Sequence, residues 1–194
     1  METYTINSAK ELEKYKENYG YHIKGNAEFN YSAEFTGRLL VDGYLSIKAG
    51  GSIEAGGSIK AGGYIEAGWS IKAGGSIEAG GSIKAGGSIE AGWYIEAGGP
   101  IEAGGSIEAG DSYGISAGLS ITAKGTISFG LNAYAGIKTW DIAAKEEKTI
   151  TCSKLLKGNV EYGILKETGE PELDDKTQEA IKVLKEAGYK IVKE

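Results

Sequence analysis

The chain has 194 residues, a formal net charge of −6 and one cysteine, Cys152. The negative charge argues against binding to nucleic acid or anionic membranes through a basic surface, and a single cysteine excludes an intramolecular disulfide framework. The N-terminal residues lack the apolar core of a signal peptide, and no apolar run reaches membrane-spanning length, so a cytoplasmic protein is expected.

The first predicted element is a short helix over residues 8–18. Ser8 suits the N-cap position, and Glu11 three residues later completes a capping-box pattern. Leu12 and Tyr15 supply part of an apolar face, and Gly20 is a typical helix end. Because so short a helix is unstable alone, we expect residues 1–22 to form a helical cap that packs on the next region.

A six-residue repeat of the type S-I-E-A-G-G fills the middle of the chain. An isoleucine recurs every six residues from Ile47 to Ile107, and an alanine follows each of them two residues later. Every sixth residue before Ile47, back to residue 23, is also large and apolar. These are Val41, Phe35, Phe29 and Ile23. The repeat is therefore predicted to begin near residue 23.

The pattern within each repeat predicts a short strand followed by a corner. Alternation places Ile and Ala on one side and Ser and Glu or Lys on the other, and glycine tolerates the dihedral angles of a sharp bend. A helix would need apolar spacings of three and four residues. Stacked coils would bury every Ile–Ala pair in one core. We therefore predict an all-β dominated fold, a parallel β-helix over residues 23–130.

The charges predict how many strands each coil contains. From Lys48 to Glu90 the outward residue alternates between Lys and Glu. With three strands of six residues per coil, opposite charges stack, which stabilises adjacent strands by about 0.2–1 kcal/mol per pair, whereas two or four strands would stack like charges. The predicted columns are Lys48–Glu66–Lys84–Glu102, Glu54–Lys72–Glu90 and Lys60–Glu78. The β-helix is thus three-sided, with about five coils stacked at strand spacing.

The second half of the repeat is acidic. No lysine occurs between Glu90 and Asp111, although Glu96, Glu102 and Glu108 continue the outward positions. One interpretation is solvated surface, since exposed carboxylates tolerate each other in water. The other is an acidic patch for a basic partner or a divalent cation.

Aromatic residues interrupt the repeat at four positions. Trp69 and Trp93 replace a corner glycine, and Tyr64 and Tyr94 replace the outward serine. Three-sided stacking places the two tryptophans at the edges of the face that carries Lys72. Exposed Trp and Tyr are enriched at binding hot spots, although they could instead shield the backbone or pack against the terminal segments. The predicted partner-binding residues are Tyr64, Trp69, Lys72, Glu90, Trp93, Tyr94, Glu96, Glu102, Glu108 and Asp111.

The C-terminal part is less regular. After Gly110 the isoleucines shift by two residues, to Ile115, Ile121 and Ile127, which predicts a looser coil, and strands are expected near 148–153 and 159–166. A helix capped by Asp174 or Asp175 is predicted through Ala187, followed by a strand over Tyr189–Lys193. Its apolar stripe is Ala180, Ile181, Leu184 and Ala187. We expect residues 131–194 to form an α+β region that caps the β-helix or binds a partner.

No catalytic, cofactor-binding or metal-binding residue is predicted. His22 is the only histidine and lies far in sequence from Cys152, which argues against a His–Cys nucleophile pair or a zinc site. The glycines match neither a phosphate-binding loop nor a dinucleotide-binding turn. The uniform carboxylates offer no cleft in which two of them could have divergent pKa values. A non-enzymatic protein without a cofactor is expected.

The I-E-A-G-G-S repeat resembles two bacterial β-helix groups, the bactofilins and the repeat domain of flagellar assembly protein A, over about residues 23–128. The bactofilin resemblance implies right-handed winding and end-to-end assembly, but the predicted terminal helices depart from that pattern. The repeat is similar in period alone to the hexapeptide acyltransferases. Those enzymes carry a catalytic histidine in the coils and no histidine lies in these repeats, so their activity is not expected.

Three functions follow as hypotheses. The leading one is a β-helix interaction or scaffold protein, a monomer or small homo-oligomer, that presents charged faces to a protein partner, preferably a basic one, without binding nucleic acid or membrane directly. The alternative is an acidic nucleic-acid mimic that inhibits a nucleic-acid-binding enzyme, as in phage or mobile-element anti-defence proteins. A further alternative is a bactofilin-like self-assembling structural protein. Alternating Glu and Lys argue against ice binding.

Overall fold

The computed structural model describes residues 1–137 and 144–169. The predicted helix through Ala187 and the predicted strand over Tyr189–Lys193 lie outside the described residues. The described residues form strands β1 to β23, one short α-helix and two 3-10 turns, the second at Glu146–Lys148. In these ranges no helix has both the length and the apolar character needed to cross a membrane.

The N-terminal segment starts with a strand that sequence reasoning missed, β1 (Thr3–Ile6), and continues with helix α1 (Ala9–Leu12) and a 3-10 turn (Glu13–Tyr15). Ser8 caps α1, because its Oγ accepts a hydrogen bond from the Glu11 backbone N–H at 3.3 Å. The predicted extent of 8–18 is wrong. The chain after Tyr15 instead forms an antiparallel hairpin, β2 (Lys16–Glu17) with β3 (Gly20–Ile23), and Gly20 permits this turn with a φ of 146°.

The strands stack in parallel on three faces, which confirms the predicted three-sided β-helix. Face 1 contains β1, β4 (Asn26–Phe29), β7 (Leu45–Ile47), β10 (Ile65–Ala67), β13 (Ile83–Ala85), β16 (Ile101–Ala103), β19 (Ile121–Ala123), β21 (Thr149–Cys152) and β23 (Ile164–Glu167). Face 2 contains β5 (Ala33–Phe35), β8 (Ile53–Ala55), β11 (Ile71–Ala73), β14 (Ile89–Ala91) and β17 (Ile107–Ala109). Face 3 contains β3, β6 (Arg38–Val41), β9 (Ile59–Ala61), β12 (Ile77–Ala79), β15 (Ile95–Ala97) and β18 (Ile115–Ala117).

Two long strands lie at the C-terminal end of the described solenoid. β20 (Ile127–Ala135) continues face 2 above β17 and then face 3 above β18, and β22 (Leu155–Tyr162) repeats this path above β20. Where two strands were predicted near 148–153 and 159–166, the structure has three, β21, β22 and β23.

The solenoid is longer than predicted, with about eight turns instead of five. Face 1 alone is a sheet of nine strands, because β1 extends the stack at one end and β21 and β23 extend it at the other. At about 4.8 Å per strand, nine strands span about 38 Å.

The order of large and small inward side chains along a strand is reversed between the N-terminal coils and the regular coils. A regular strand buries Ile in its first inward position and Ala in its second, and Ile53 is completely buried. In the N-terminal coils the small residue comes first, since Ala33 pairs with Ile53 and Phe35 pairs with Ala55. The predicted N-terminal residues are therefore buried, but Phe35 and Val41 stack on the alanines of the next coil and not on its isoleucines.

The cause is an insertion at the corner between β7 and β8. Residues 48–52 connect these strands, two more than the three residues that connect regular strands. Lys48 lies in this insertion and Ser46 pairs with Glu66, so the predicted Lys48–Glu66 stacking is wrong. Residues 110–114, between β17 and β18, form a second insertion of the same size, which confirms the predicted register shift after Gly110.

The other charge columns are confirmed. Opposite charges pair in Glu66–Lys84–Glu102, Glu54–Lys72–Glu90 and Lys60–Glu78, and like charges pair in Glu78–Glu96 and Glu90–Glu108.

Candidate interaction face

Face 2 carries one column of outward charged side chains, here called the face 2 column. It consists of Glu34, Glu54, Lys72, Glu90 and Glu108 in register. Lys72 Nζ lies 3.6 Å from Glu90 Oε2 and 4.0 Å from Glu54 Oε1. The column therefore holds four carboxylates and one ammonium group, and only Glu54 and Glu90 lie within 4.0 Å of that ammonium. Among the described residues, no cation lies within 4.0 Å of Glu34 or Glu108.

Trp69 and Trp93 lie at the two edges of face 2, as predicted. Trp69 is in the corner between β10 and β11, where the chain enters face 2, and Trp93 is in the corner between β14 and β15, where it leaves. Their exposed fractions are 49% and 50%. The two indole rings thus border the face 2 column and remain half accessible.

Each tryptophan also lies next to an insertion. The Trp69 backbone N–H donates to Gly51 O at 2.9 Å, in the first insertion. The Trp93 ring stacks on Tyr113 of the second insertion, with ring centroids 6.1 Å apart, and Trp93 O accepts from the Gly110 N–H. The Trp93 ring is therefore partly covered by Tyr113, the Trp69 backbone is anchored to the first insertion, and both rings remain half exposed.

A shallow depression of about 350 Å³ runs beside the face 2 column. Its floor is backbone and small side chains, because a glycine follows each strand at this corner. The lining residues are Glu54, Ala55, Gly56, Lys72, Ala73, Gly74, Glu90, Ala91, Gly92 and Glu108. Charged side chains thus border a groove, and the alanines and glycines at its base leave room for a ligand.

Three of the predicted partner-binding residues lie away from face 2. Tyr64 stacks on Tyr44 at the corner between faces 3 and 1, with centroids 4.8 Å apart and planes within 3°. Glu96 lies on face 3 and Glu102 on face 1. The predicted acidic run is therefore distributed around the solenoid.

Asp111 and Tyr94 are engaged in contacts within the chain. Asp111 Oδ1 accepts a hydrogen bond from Lys157 Nζ at 2.6 Å, which lowers the pKa of Asp111. The Tyr94 hydroxyl donates to Glu78 Oε1 at 2.6 Å, which raises the pKa of Tyr94. Of the predicted set, Trp69, Lys72, Glu90, Trp93 and Glu108 come together around face 2.

Sequence reasoning missed Glu34 and Tyr113. Glu34 joins the face 2 column only because the first insertion shifts the N-terminal coils by two residues, and Tyr113 lies inside the second insertion. The available signal was the position of the tryptophans, each of which lies about one coil from a break in the register.

Glu78 on face 3 is the most strongly hydrogen-bonded carboxylate of the ladder. Burial raises the pKa of Glu78, but donors from Lys60 Nζ at 2.7 Å, Tyr94 at 2.6 Å and Ser76 Oγ at 3.0 Å together lower it below its usual value. A carboxyl with a lowered pKa stabilises the fold above its unfolded-state pKa, and this contribution is lost as the pH falls through the folded-state pKa.

Glu78→Gln is therefore expected to make thermal stability less sensitive to acid. Between about pH 6 and about pH 3, the unfolding temperature of the wild type should fall further than that of Glu78→Gln, measured by circular dichroism. The control Glu102→Gln removes the same charge from a carboxylate whose Lys84 partner is 4.0 Å away, and its pH dependence should follow the wild type. Parallel curves for Glu78→Gln and the wild type would contradict the assignment.

In residues 1–137 and 144–169, no group of three or more His, Cys, Asp and Glu side chains is arranged to hold a metal ion. His22 in β3 and Cys152 in β21 lie towards opposite ends of the solenoid. Comparisons of the chain with protein-family models, curated proteins and solved structures give no significant match.

Proposed function

We propose that this chain is a non-enzymatic β-helix interaction or scaffold protein, and that face 2 binds a basic surface of a partner protein. The observation that supports this most is the face 2 column itself, which holds four carboxylates and only one ammonium between two half-exposed indole rings. Among the described residues, each of the other two faces has a tryptophan at only one of its edges.

The charge distribution favours a cationic partner. Glu90 and Glu108 occupy directly paired positions, and like charges opposite each other on adjacent strands are destabilising. A lysine or arginine from a partner would relieve this repulsion. Arginine suits the site best, because its planar guanidinium pairs with carboxylates and stacks on aromatic rings.

The solenoid holds this arrangement rigidly. Each outward residue is fixed at strand spacing by the ladder of parallel strands, and each tryptophan is braced by an adjacent insertion. Little conformational entropy is then lost when a partner binds, which is how a preorganised surface gains affinity.

The double substitution Trp69→Ala and Trp93→Ala tests the proposal. It should weaken partner binding by at least about tenfold, since exposed tryptophans that act as hot spots contribute about 2 kcal/mol or more. The measurement compares proteins captured from an extract of the source cell by immobilised wild type and variant, followed by titration of the recovered partner. The far-ultraviolet circular dichroism should remain that of the wild type.

A second pair of variants guards against a folding defect. Glu90→Ala with Glu108→Ala removes two face 2 carboxylates, and Glu66→Ala with Glu102→Ala removes two from equivalent positions on face 1. Only the first pair should reduce binding. The assignment to face 2 is wrong if the Glu90 and Glu108 variant retains as much partner as the Glu66 and Glu102 variant. It is also wrong if the tryptophan variant retains as much partner as the wild type.

The distribution of the acidic run favours a second candidate, the nucleic-acid mimic. Glu96, Glu102 and Glu108 lie on three different faces, as expected for a rod surrounded by a basic groove. In that case substitution of these residues by lysine should abolish inhibition of the target enzyme, and added salt should weaken binding steeply. Salt-insensitive binding would rule this candidate out.

The bactofilin resemblance, with right-handed winding and end-to-end assembly, stays a prediction, as do the lack of enzymatic activity and the cytoplasmic location. The cover that α1 places over the N-terminal end argues against assembly through that end, because it buries Leu12 on the core.

A further inference from the structure

The C-terminal end of the described core is open. Leu155, Val160 and Leu165 occupy inward positions of the last coil, one on each face, and stack on Ile127, Ala133 and Ile150. Ile150 is completely buried, whereas Leu165, one strand further on, is 38% exposed. Leu155 and Val160 are likewise only partly buried against the core. These three side chains are here called the core end.

The opposite end of the core is closed by the chain's own terminal segment. Ile6 in β1 is completely buried, and Leu12 of α1 is 3% exposed. Tyr4 and Tyr15 pack together beside them, with ring centroids 5.5 Å apart. The N-terminal end therefore shows how a segment of about ten residues covers a coil of this solenoid.

The chain leaves the described structure beside the core end. The Thr168 N–H donates to Cys152 O at 2.9 Å, and the Gly169 N–H donates to Ser153 O at 3.1 Å. Residue 169 thus still follows the ladder, at the corner where the previous coil enters β22. No strand of the described residues pairs with the outer edge of β22, although the Leu155 N–H donates to Glu167 Oε1 at 2.7 Å. Gly169, the last described residue, lies at the start of this edge.

We propose that residues 170–194 of the same chain dock on the core end and cover Leu155, Val160 and Leu165. These residues lie outside the described ranges, and their sequence carries the apolar stripe Ala180, Ile181, Leu184 and Ala187. Burial of the exposed leucine and valine surface favours the docked state. A segment tethered at Gly169 is also present at a high effective concentration, so it outcompetes a second copy of the chain.

Hydrogen exchange on the full-length chain tests this proposal. In the wild type, backbone amides of residues 155–167 should be protected, and the protection should not change on tenfold dilution. In the full-length variant Ile181→Asp with Leu184→Asp, these amides should exchange at least tenfold faster, while residues 89–103 in the middle of the solenoid remain protected.

Lys182→Asp is the matched control, because it changes a residue of the same segment that is not in the apolar stripe. It should leave the protection of residues 155–167 unchanged. Unprotected amides at 155–167 in the wild type, or equal exchange in the wild type and the double variant, would overturn the proposal. Protection that falls on dilution would also overturn it, because it would assign the core end to a second copy. The wild-type measurement decides even if the double variant unfolds.

Discussion

Ile77→Ala is expected to lower the free energy of unfolding by about 2–5 kcal/mol. Ile77 lies in the middle of face 3, is completely buried, and stacks between Ile59 and Ile95. The strands on both sides are held by backbone hydrogen bonds, so they cannot collapse into the cavity that the truncation leaves. Urea unfolding followed by circular dichroism measures the loss.

Ile77→Val is the matched control and should cost only about 0.5–1.5 kcal/mol, since it removes one methyl group. A loss below about 1 kcal/mol for Ile77→Ala would mean that the coil relaxes around the cavity. That result would contradict the tight stacking of the isoleucine columns.

Gly80→Ala is expected to destabilise the fold by about 1–3 kcal/mol, the cost of overpacking a tightly packed site. A Cβ atom at Gly80 would lie 2.1 Å from Gly62 O, a backbone atom of the coil below. The same close approach recurs along this corner, because a Cβ at Gly98 would lie 2.2 Å from Gly80 O. The coils can accept the methyl group only by moving apart, which lengthens ladder hydrogen bonds.

Gly81→Ala, one residue later in the same corner, should change the free energy of unfolding by no more than about 0.5 kcal/mol. Its nearest Cβ contact would be 3.2 Å, to Tyr64 N. Within residues 53–109 the sequence supports this asymmetry, because Trp69 and Trp93 replace the second glycine of a corner while every first glycine is kept. Equal losses for the two variants would contradict it.

The strand positions and the three-sided stacking could be predicted because the repeat encodes them redundantly. The period of six sets strand and corner, and the alternation of Lys60, Glu66 and Lys72 along the chain is compatible only with an odd number of strands per coil. The framing of face 2 by Trp69 and Trp93 followed from the same geometry.

The phase of the N-terminal coils could not be predicted, because both inward positions of those strands are apolar. A register shift of two residues would place Phe35, instead of Ala33, opposite Ile53, and every inward residue would still be hydrophobic. The only sign of the insertion at residues 48–52 in these coils is that the small inward residue precedes the large one. The early end of α1 was missed for a different reason, since pairing of β2 with β3 overrides the local helix signal.

The number of regular coils between the two insertions sets the length of the solenoid. Between them, an isoleucine recurs every six residues from Ile53 to Ile107 without a break, so one coil of three repeats could be added or removed there without shifting the register of either end. Trp69 and Trp93 would stay at the same two edges of face 2, while the distance between them along the axis would change in steps of about 4.8 Å. A chain of this design can match the spacing of two contacts on a partner by changing its number of coils.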